Sequence, residues 1–233
     1  MNREAHPAAG EVHIWFNALD LQGAELARRE QYLSPDERAR ADRLLDRRTR
    51  DRFVAGRGFL RETLARYLGL KPVDLHFAPE EHGKPGLAGS GSLSFNLSHA
   101  DDCAILAVAF DRAVGIDLER MRDDLQFREM AQQFYSSRER TELFSLPRDR
   151  QRAAFFRCWT RKEAYLKGCG SGFSQPTDSF DISLLPGHPP ALIEHRSAPG
   201  EVSRWTIVDI PVPEGYCAAL AVEGGYPLIR YRE

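Results

Sequence analysis

Short alternating or wholly apolar runs predict strands along most of the chain, and two longer stretches carry apolar residues at helical spacing. The long helices are expected over about residues 51–68 and 149–167, each followed by glycines that favour helix termination. The predicted strands are 11–19, 75–77, 93–97, 103–110, 114–119, 179–185, 204–210, 215–222 and 228–231. Strands and helices therefore alternate in both parts of the chain.

Two sequence signals mark the starts of further helices. Ser34, Pro35 and Glu37 form a capping box with proline at the first helical position, and Ser136 with Glu139 repeats the box. A shorter helix is expected over residues 125–135, just before the second box. Each part of the chain thus combines a capped helix, a long helix, a loop and strands.

Two similar six-residue segments support this internal repeat. Cys103–Val108 reads CAILAV and Cys217–Val222 reads CAALAV, and each run closes its part of the chain. We interpret the protein as α+β, with two similar halves, residues 1–112 and 113–233, related by a pseudo-twofold axis. Residues 1–10 are polar and are expected to be a flexible extension without the apolar core of a signal peptide. The site is expected in the cleft between the halves, where pockets commonly form.

Composition narrows the function classes. The chain has 233 residues, 42% of them hydrophobic, and its 32 basic and 34 acidic residues give a formal charge of -2. This balance argues against a generally cationic nucleic-acid binder. The longest apolar run, residues 103–110, is too short to span a membrane. The four cysteines form no C-x-x-C pair, so we expect free thiols in a cytoplasmic protein.

The first chemical signal is the run Gly115-Ile116-Asp117-Leu118-Glu119. In a strand, Asp117 and Glu119 project to the same face, where two carboxylates repel unless they are solvated or bridged by a cation. Oxygen ligands of this kind suit Mg²⁺. On this run alone, a solvated strand end and a metal site fit equally well.

The second signal lies late in the second long helix. Trp159, Glu163 and Lys167 share one face because they are spaced by four residues. A surface Glu–Lys pair, worth roughly 0.3–0.5 kcal/mol, is the simpler interpretation. However, only four of the 32 basic residues are lysines, and two of these, Lys162 and Lys167, fall here, beside a glycine-rich stretch. Lysine is a compact ammonium that suits phosphate binding.

The third signal is Asn96-Leu97-Ser98-His99, with the scarce Lys84 upstream in Gly83-Lys84-Pro85. A serine and a histidine after a buried strand can hydrogen-bond phosphate oxygens, or they can simply cap a turn. A nucleophilic serine with histidine as base is disfavoured, because adjacent residues rarely form such a pair.

Together these motifs resemble the signature of the 4'-phosphopantetheinyl transferase superfamily. Gly-Ile-Asp-Leu-Glu, Trp-x-x-Lys-Glu-Ala-Tyr-x-Lys with its following Gly-x-Gly, Asn-Leu-Ser-His and Gly-Lys-Pro span residues 83–173. The length and the doubled unit are similar to the large, monomeric, surfactin-synthetase-activating type. Phe173 stands where the family usually has leucine.

The resemblance implies transfer of 4'-phosphopantetheine from coenzyme A to a serine of an apo acyl or peptidyl carrier protein, with release of adenosine 3',5'-bisphosphate. It implies Mg²⁺, or Mn²⁺, on Asp117, Glu119 and Glu163, with Glu163 or a metal-bound water as base. Lys167 would stabilise the departing phosphate. The implied contacts with coenzyme A phosphates are Lys84, Ser98, His99, Lys162 and Lys167.

The chain departs from the family pattern at a residue expected near the nucleotide end of coenzyme A. Glu37 stands where some relatives have lysine, and Arg40 or Arg57 is expected to supply the charge. The stretch 36–53, with seven arginines and five acids, is interpreted as a solvated, self-paired face, although it could contact an acidic carrier. Two other classes are considered: a non-catalytic coenzyme A or carrier-binding module, and a Mg²⁺-dependent phosphatase or nucleotidyl enzyme.

Overall fold

The computed structural model describes residues 5–79, 85–87, 91–170 and 175–232. The strands are β1 Glu11–Ala18, β2 Phe77–Pro79, β3 Pro85–Leu87, β4 Leu93–Ala100, β5 Cys103–Phe110, β6 Val114–Arg120, β7 Phe180–Ile182, β8 Leu192–His195, β9 Trp205–Asp209, β10 Tyr216–Glu223 and β11 Leu228–Arg232. The helices are α1 Gly23–Gln31, α2 Pro35–Asp42, α3 Arg47–Leu68, α4 Phe127–Phe134, α5 Ser137–Ser145, α6 Arg148–Cys169 and α7 Glu201–Arg204.

Both expected capping boxes are present. The Ser34 side chain accepts the Glu37 backbone N–H at the start of α2, and Ser136 does the same for Glu139 at α5. The long helices α3 and α6 are 22 residues each and end at glycines in the left-handed conformation, with φ of 66° at Gly69 and 71° at Gly170. A residue without Cβ adopts this conformation at no steric cost.

The first sheet has the strand order β11-β1-β5-β4. β5 lies antiparallel to both neighbours, whereas β11 pairs with β1 in parallel. One face of this sheet packs on α3 through a core that includes Trp15, Leu60 and Leu106. β4 is an edge strand, so its outer edge is available to the second part of the molecule.

The second sheet has the order β6-β10-β9, with α6 packed on one face. Its other face meets the first sheet in a shared core that includes Ile14, Ile105 and Leu220. The two echoing runs are β5 and β10, and each is an inner strand flanked on both sides. Their small apolar residues suit this burial between strands and a second layer.

The α+β class is confirmed, and the two parts have similar element orders. A twofold axis between them stays a prediction, as does the division at residue 112. β11 shows that the carboxy-terminal part also contributes a strand to the first sheet. The sequence pattern missed α1, β3, β8 and α7. α1 has no side-chain cap at its start, so no capping signal marks it.

Two further observations bear on the environment of the protein. Within the described ranges, no helix is both long and apolar enough to cross a membrane. All four cysteines lie in these ranges and are free thiols, as predicted.

Candidate active site

A close contact between β6 and α6 brings the two acidic motifs together. A Cβ on Gly115 would lie 2.1 Å from the carbonyl oxygen of Ala164 and 2.2 Å from the backbone nitrogen of Gly168. Only glycine permits this approach of strand and helix. As a result, Glu163 and Lys167 of α6 reach the carboxylates of β6.

Side chains of the edge strand β4 join the two sheets at the same place. Asn96 Oδ1 accepts the Ile116 backbone N–H at 2.8 Å, and Ser98 Oγ accepts the Leu118 N–H at 3.2 Å. These bonds satisfy backbone donors that would otherwise be buried and unpaired. They hold β4 beside the strand that carries Asp117.

Three carboxylates and one ammonium form the centre of this site. Asp117 is buried, and its Oδ1 accepts hydrogen bonds from Lys167 Nζ at 2.5 Å and from Ser98 Oγ at 3.1 Å. Glu119 Oε1 accepts the Trp159 indole N–H at 3.2 Å. Asp117 Oδ2 and Glu163 Oε1 are buried and have no hydrogen-bond partner among the described residues.

The electrostatics reflect this crowding of negative charge. Burial, with the neighbouring Asp117 and Glu163 carboxylates, raises the pKa of Glu119 to about 7. Burial and the Asp117 charge also raise the pKa of Glu163. Lys167 opposes both shifts. A single ammonium therefore does not neutralise the cluster.

The donor set fits a hard divalent cation. Mg²⁺ binds carboxylate oxygens, keeps several waters and needs only a few protein ligands. The two orphaned oxygens are suitable first ligands, since a buried carboxylate oxygen without a partner is costly. In the part of the chain that the structure describes, no three acidic, histidine or cysteine side chains are already arranged to hold a metal ion. Lys167 occupies one Asp117 oxygen instead.

Cation binding is expected to release protons near neutral pH. Because the pKa of Glu119 is about 7 without a cation, part of the population is protonated there and must ionise to bind Mg²⁺. The apparent Mg²⁺ affinity should therefore fall as the pH is lowered from 8 to 6. Titration calorimetry at pH 7 in buffers of different ionisation enthalpy measures the proton release. Glu119→Gln should lower it, with Glu163 as the remaining source of protons, and unchanged release in that variant contradicts the assignment.

A cleft of about 560 Å³ lies between α2, α3 and β4. This volume falls in the range of small-molecule sites. Its walls combine apolar residues with arginines: Leu19, Arg40, Leu44, Thr49, Arg52, Phe53, Gly56, Arg57, Leu60, Phe95, Asn96, Leu97, His99 and Asp101. The cleft thus has both an apolar surface for a flat ring and cations for phosphates.

Adjacent residues of β4 serve the two regions. His99 lines the cleft, whereas Ser98 lies at the carboxylate cluster, because successive strand residues face opposite sides. Burial and the nearby Lys167 charge lower the pKa of His99. The cleft and the carboxylate cluster are therefore lined by neighbouring residues of β4.

Arg40 and Arg57, the two arginines expected to supply charge at the nucleotide end of coenzyme A, both line this cleft. Arg40 lies over the Phe53 ring at 5.1 Å, and Arg57 lies over Phe77 at 4.9 Å. Arg57 Nε also donates to Glu37 Oε1 at 2.7 Å. Glu37 is thus both the capping-box acid and the partner of Arg57, which explains an acid at this position.

Lys162 requires a correction. Its ammonium is buried against Glu139, with Nζ 2.8 Å from Oε1, and it also donates to the Thr177 and Phe180 carbonyl oxygens. Lys162 lies next to Glu163 in sequence but points to the opposite side of α6. The prediction that it contacts the coenzyme A pyrophosphate is therefore wrong for this arrangement.

Ser98 and Lys84 also differ from expectation. The Ser98 hydroxyl donates to Asp117 and accepts from Leu118 N–H and Lys167, which uses its one donor and both lone pairs. It supports the cluster in this arrangement and has no hydrogen-bonding capacity left for a phosphate. Lys84 lies outside the described residues.

Sequence reasoning missed two groups at the site. Arg52 and Thr49 line the cleft, whereas the sequence interpretation of the arginine-rich stretch is a self-paired face or a contact surface for an acidic carrier. Arg52 is indeed paired, with Nε 2.6 Å from Asp20 Oδ1. Its position one helical turn before Gly56 is the signal that could have placed it beside the cleft, since both residues lie on the same face of α3.

Comparisons with known proteins show which family this chain resembles. The model of the 4'-phosphopantetheinyl transferase superfamily matches residues 113–221, and that of the 4'-phosphopantetheinyl transferase N-terminal region matches residues 22–111. The 4'-phosphopantetheinyl transferase HetI of Nostoc sp. is 40% identical over 218 residues, covering 92% of this chain and 88% of that relative. Sfp of Bacillus subtilis is 31% identical over 165 residues, covering 70% and 72%.

These matches define a transferase enzyme. The chain belongs to the 4'-phosphopantetheinyl transferase superfamily. The family resemblance identified from its motifs is confirmed.

Proposed function

We propose that the protein transfers 4'-phosphopantetheine from coenzyme A to a serine hydroxyl of an apo acyl or peptidyl carrier protein, in a Mg²⁺-dependent reaction. One observation carries the proposal: the three carboxylates and Lys167 form a cluster beside an arginine-lined cleft. Adjacent residues of β4, Ser98 and His99, contact the cluster and line the cleft. A nucleotide bound in such a cleft would have its pyrophosphate near the cluster. We further propose that the chain acts as a cytoplasmic monomer, since one chain supplies both regions.

Residues of the cleft would bind the nucleotide end of coenzyme A. Arg40, Arg57 and His99 would contact its phosphates, with Lys84 as a further contact, and the apolar wall would pack on the adenine. Arginine suits this role because its planar guanidinium can donate two parallel hydrogen bonds to a phosphate. The Arg57 contact with Glu37 would hold that guanidinium in place.

Asp117, Glu119 and Glu163 would hold the divalent cation. When bound, Mg²⁺ or Mn²⁺ neutralises the pyrophosphate and makes its phosphorus more electrophilic. Ser98 would orient Asp117, because its hydroxyl bonds that carboxylate directly. Lys167 lies beside the same carboxylate and would stabilise charge on the departing phosphate.

The reaction exchanges one phosphorus–oxygen bond for another. The serine oxygen attacks the β-phosphorus, the bond from that phosphorus to the bridging oxygen breaks, and adenosine 3',5'-bisphosphate leaves. Glu163 would accept the serine proton on the carboxylate oxygen that does not bind the cation, and its raised pKa suits this role. Proximity and charge neutralisation supply most of the remaining rate enhancement.

Glu163→Gln tests the base. We expect turnover to fall about 10²- to 10⁴-fold, since the amide cannot take a proton, while Mg²⁺ still binds to the amide oxygen and the other carboxylates. Initial rates and Mg²⁺ calorimetry measure the two properties. Glu25→Gln, at an exposed position, is the matched control. Full turnover in Glu163→Gln with Mg²⁺ bound would remove the assignment and favour a metal-bound water.

Intact-protein mass spectrometry tests the transfer itself. Apo carrier proteins are incubated with this protein, coenzyme A and Mg²⁺, with and without EDTA. We expect a phosphopantetheine mass gain that EDTA abolishes. Coenzyme A binding without any gain would favour the non-catalytic binding module. Cleavage of coenzyme A without an acceptor would favour the phosphatase or nucleotidyl class.

A further inference from the structure

We propose that Tyr216 is a positioning residue that holds the β4–β5 turn against the carboxylate strand β6. The inference rests on the proposed function, because the turn follows His99 directly and joins the cleft to the cluster. Tyr216 comes from β10, so it acts from the second sheet on a segment of the first.

The contact is a single hydrogen bond between the two sheets. The part-buried Tyr216 hydroxyl donates to Oδ1 of Asp102, an exposed residue of the turn. This bond is the largest cause of a lowered pKa at Asp102, so the acceptor is an ionised carboxylate. Hydrogen bonds to a charged acceptor are among the stronger ones in proteins.

The turn has little freedom to absorb a displacement. Ala100 pairs with Cys103 across the hairpin, so only Asp101 and Asp102 form the loop. Asp101 has φ of 47° and lines the cleft, and the Asp102 carbonyl oxygen accepts the Leu19 backbone N–H at 2.7 Å. A shift of Asp102 therefore moves the cleft wall.

Tyr216 is itself held by the strand of the metal ligands. Arg120 is its register partner on β6, and the Arg120 guanidinium lies 4.8 Å from the centre of the Tyr216 ring. Next to them, Gly215 has φ of 82°, and a Cβ there would lie 2.8 Å from Arg120 Nη1. Arg120 directly follows Glu119.

These contacts belong to a series of hydrogen bonds that connect β4 and its turn to the second sheet, and each such bond is called a tie here. Asn96 binds Ile116, Ser98 binds Leu118, and Tyr216 binds the turn beyond His99. Tyr216 provides the tie at the His99 end of β4. Coenzyme A must contact the cleft and the cluster together, so this tie sets the distance between its two binding regions.

The test combines Tyr216→Phe with two changes at Asp102. Tyr216→Phe and Asp102→Ala should each raise the KM and the Kd for coenzyme A roughly tenfold, which is the size expected for one charge-assisted hydrogen bond. The KM for the carrier protein should stay unchanged. Asp102→Asn keeps an acceptor oxygen but loses the charge, so it should show a smaller rise in both constants than Asp102→Ala. The double variant Tyr216→Phe/Asp102→Ala should be no worse than either single change.

Tyr226→Phe, at a side chain that is 73% exposed, is the matched control. The proposal is overturned if Tyr216→Phe lowers only the melting temperature and leaves both constants for coenzyme A unchanged. If the wild-type protein transfers nothing, the proposed function fails, and the calorimetric Kd for coenzyme A still decides the role of Tyr216. Wild-type protein without coenzyme A binding overturns both.

Discussion

Asp117→Asn should lower the transfer rate about 10²- to 10³-fold, the cost typical of removing one preorganised charge-stabilising group. Asp117 is the most buried of the three acids, accepts hydrogen bonds from Lys167 and Ser98, and has a second oxygen with no hydrogen-bond partner among the described residues. The amide removes the charge that attracts a cation and holds the ammonium. Initial rates at saturating carrier and several Mg²⁺ concentrations measure the loss.

Asp111→Asn is the matched control for this change. Asp111 is exposed, and its φ of 56° suits asparagine equally well. The control should keep wild-type rates. Excess Mg²⁺ should only partly restore Asp117→Asn, since the displaced Lys167 is also affected. A variant with wild-type rates at low Mg²⁺ contradicts the place of Asp117 in the cluster.

Lys162→Met should lower the free energy of unfolding by about 3–5 kcal/mol, because it leaves the Glu139 carboxylate buried without its counter-ion. Both side chains are at most 1% exposed. Two carbonyl oxygens, of Thr177 and Phe180, also lose their donor. Urea unfolding monitored by tryptophan fluorescence measures the change.

The pH dependence of the stability lost in Lys162→Met identifies the cause of that loss. Burial already raises the pKa of Glu139, so the folded state binds a proton more tightly than the unfolded state. Without Lys162 the folded state should bind this proton still more tightly than the unfolded state. The variant should therefore regain stability relative to wild type as the pH falls from 7 to 5. Lys71→Met, at an exposed lysine, should stay within about 0.5 kcal/mol of wild type. A stable Lys162→Met with impaired coenzyme A binding would restore the original interpretation.

Local patterns predicted most of the elements in this molecule. The capping boxes at Ser34 and Ser136 are present, and β5 has the expected bounds because every residue in it is apolar or small. α3 begins at Arg47, earlier than expected, since Asp46 caps it and its first turn is polar. Hydrophobic periodicity cannot detect a solvated first turn.

Residue spacing was less reliable for side-chain direction at the site. Glu163 and Lys167 were expected together and do reach the cluster, because four residues bring side chains to one helix face. Lys162 is adjacent in sequence and faces the buried Glu139 instead. The scarcity of lysine indicated that a compact ammonium was required, but not whether its partner was a phosphate or a buried acid.

The sequence by itself determined the fold class and the family, since acidic spacing, capping boxes and the lysine-bearing helix are local properties. Only the tertiary structure decided which groups meet. Gly115 lets α6 reach β6, the β4 side chains tie the sheets together, and Tyr216 holds a turn about 100 residues away in sequence. Such contacts depend on how separate elements pack, and no local pattern encodes the partner of a buried polar group.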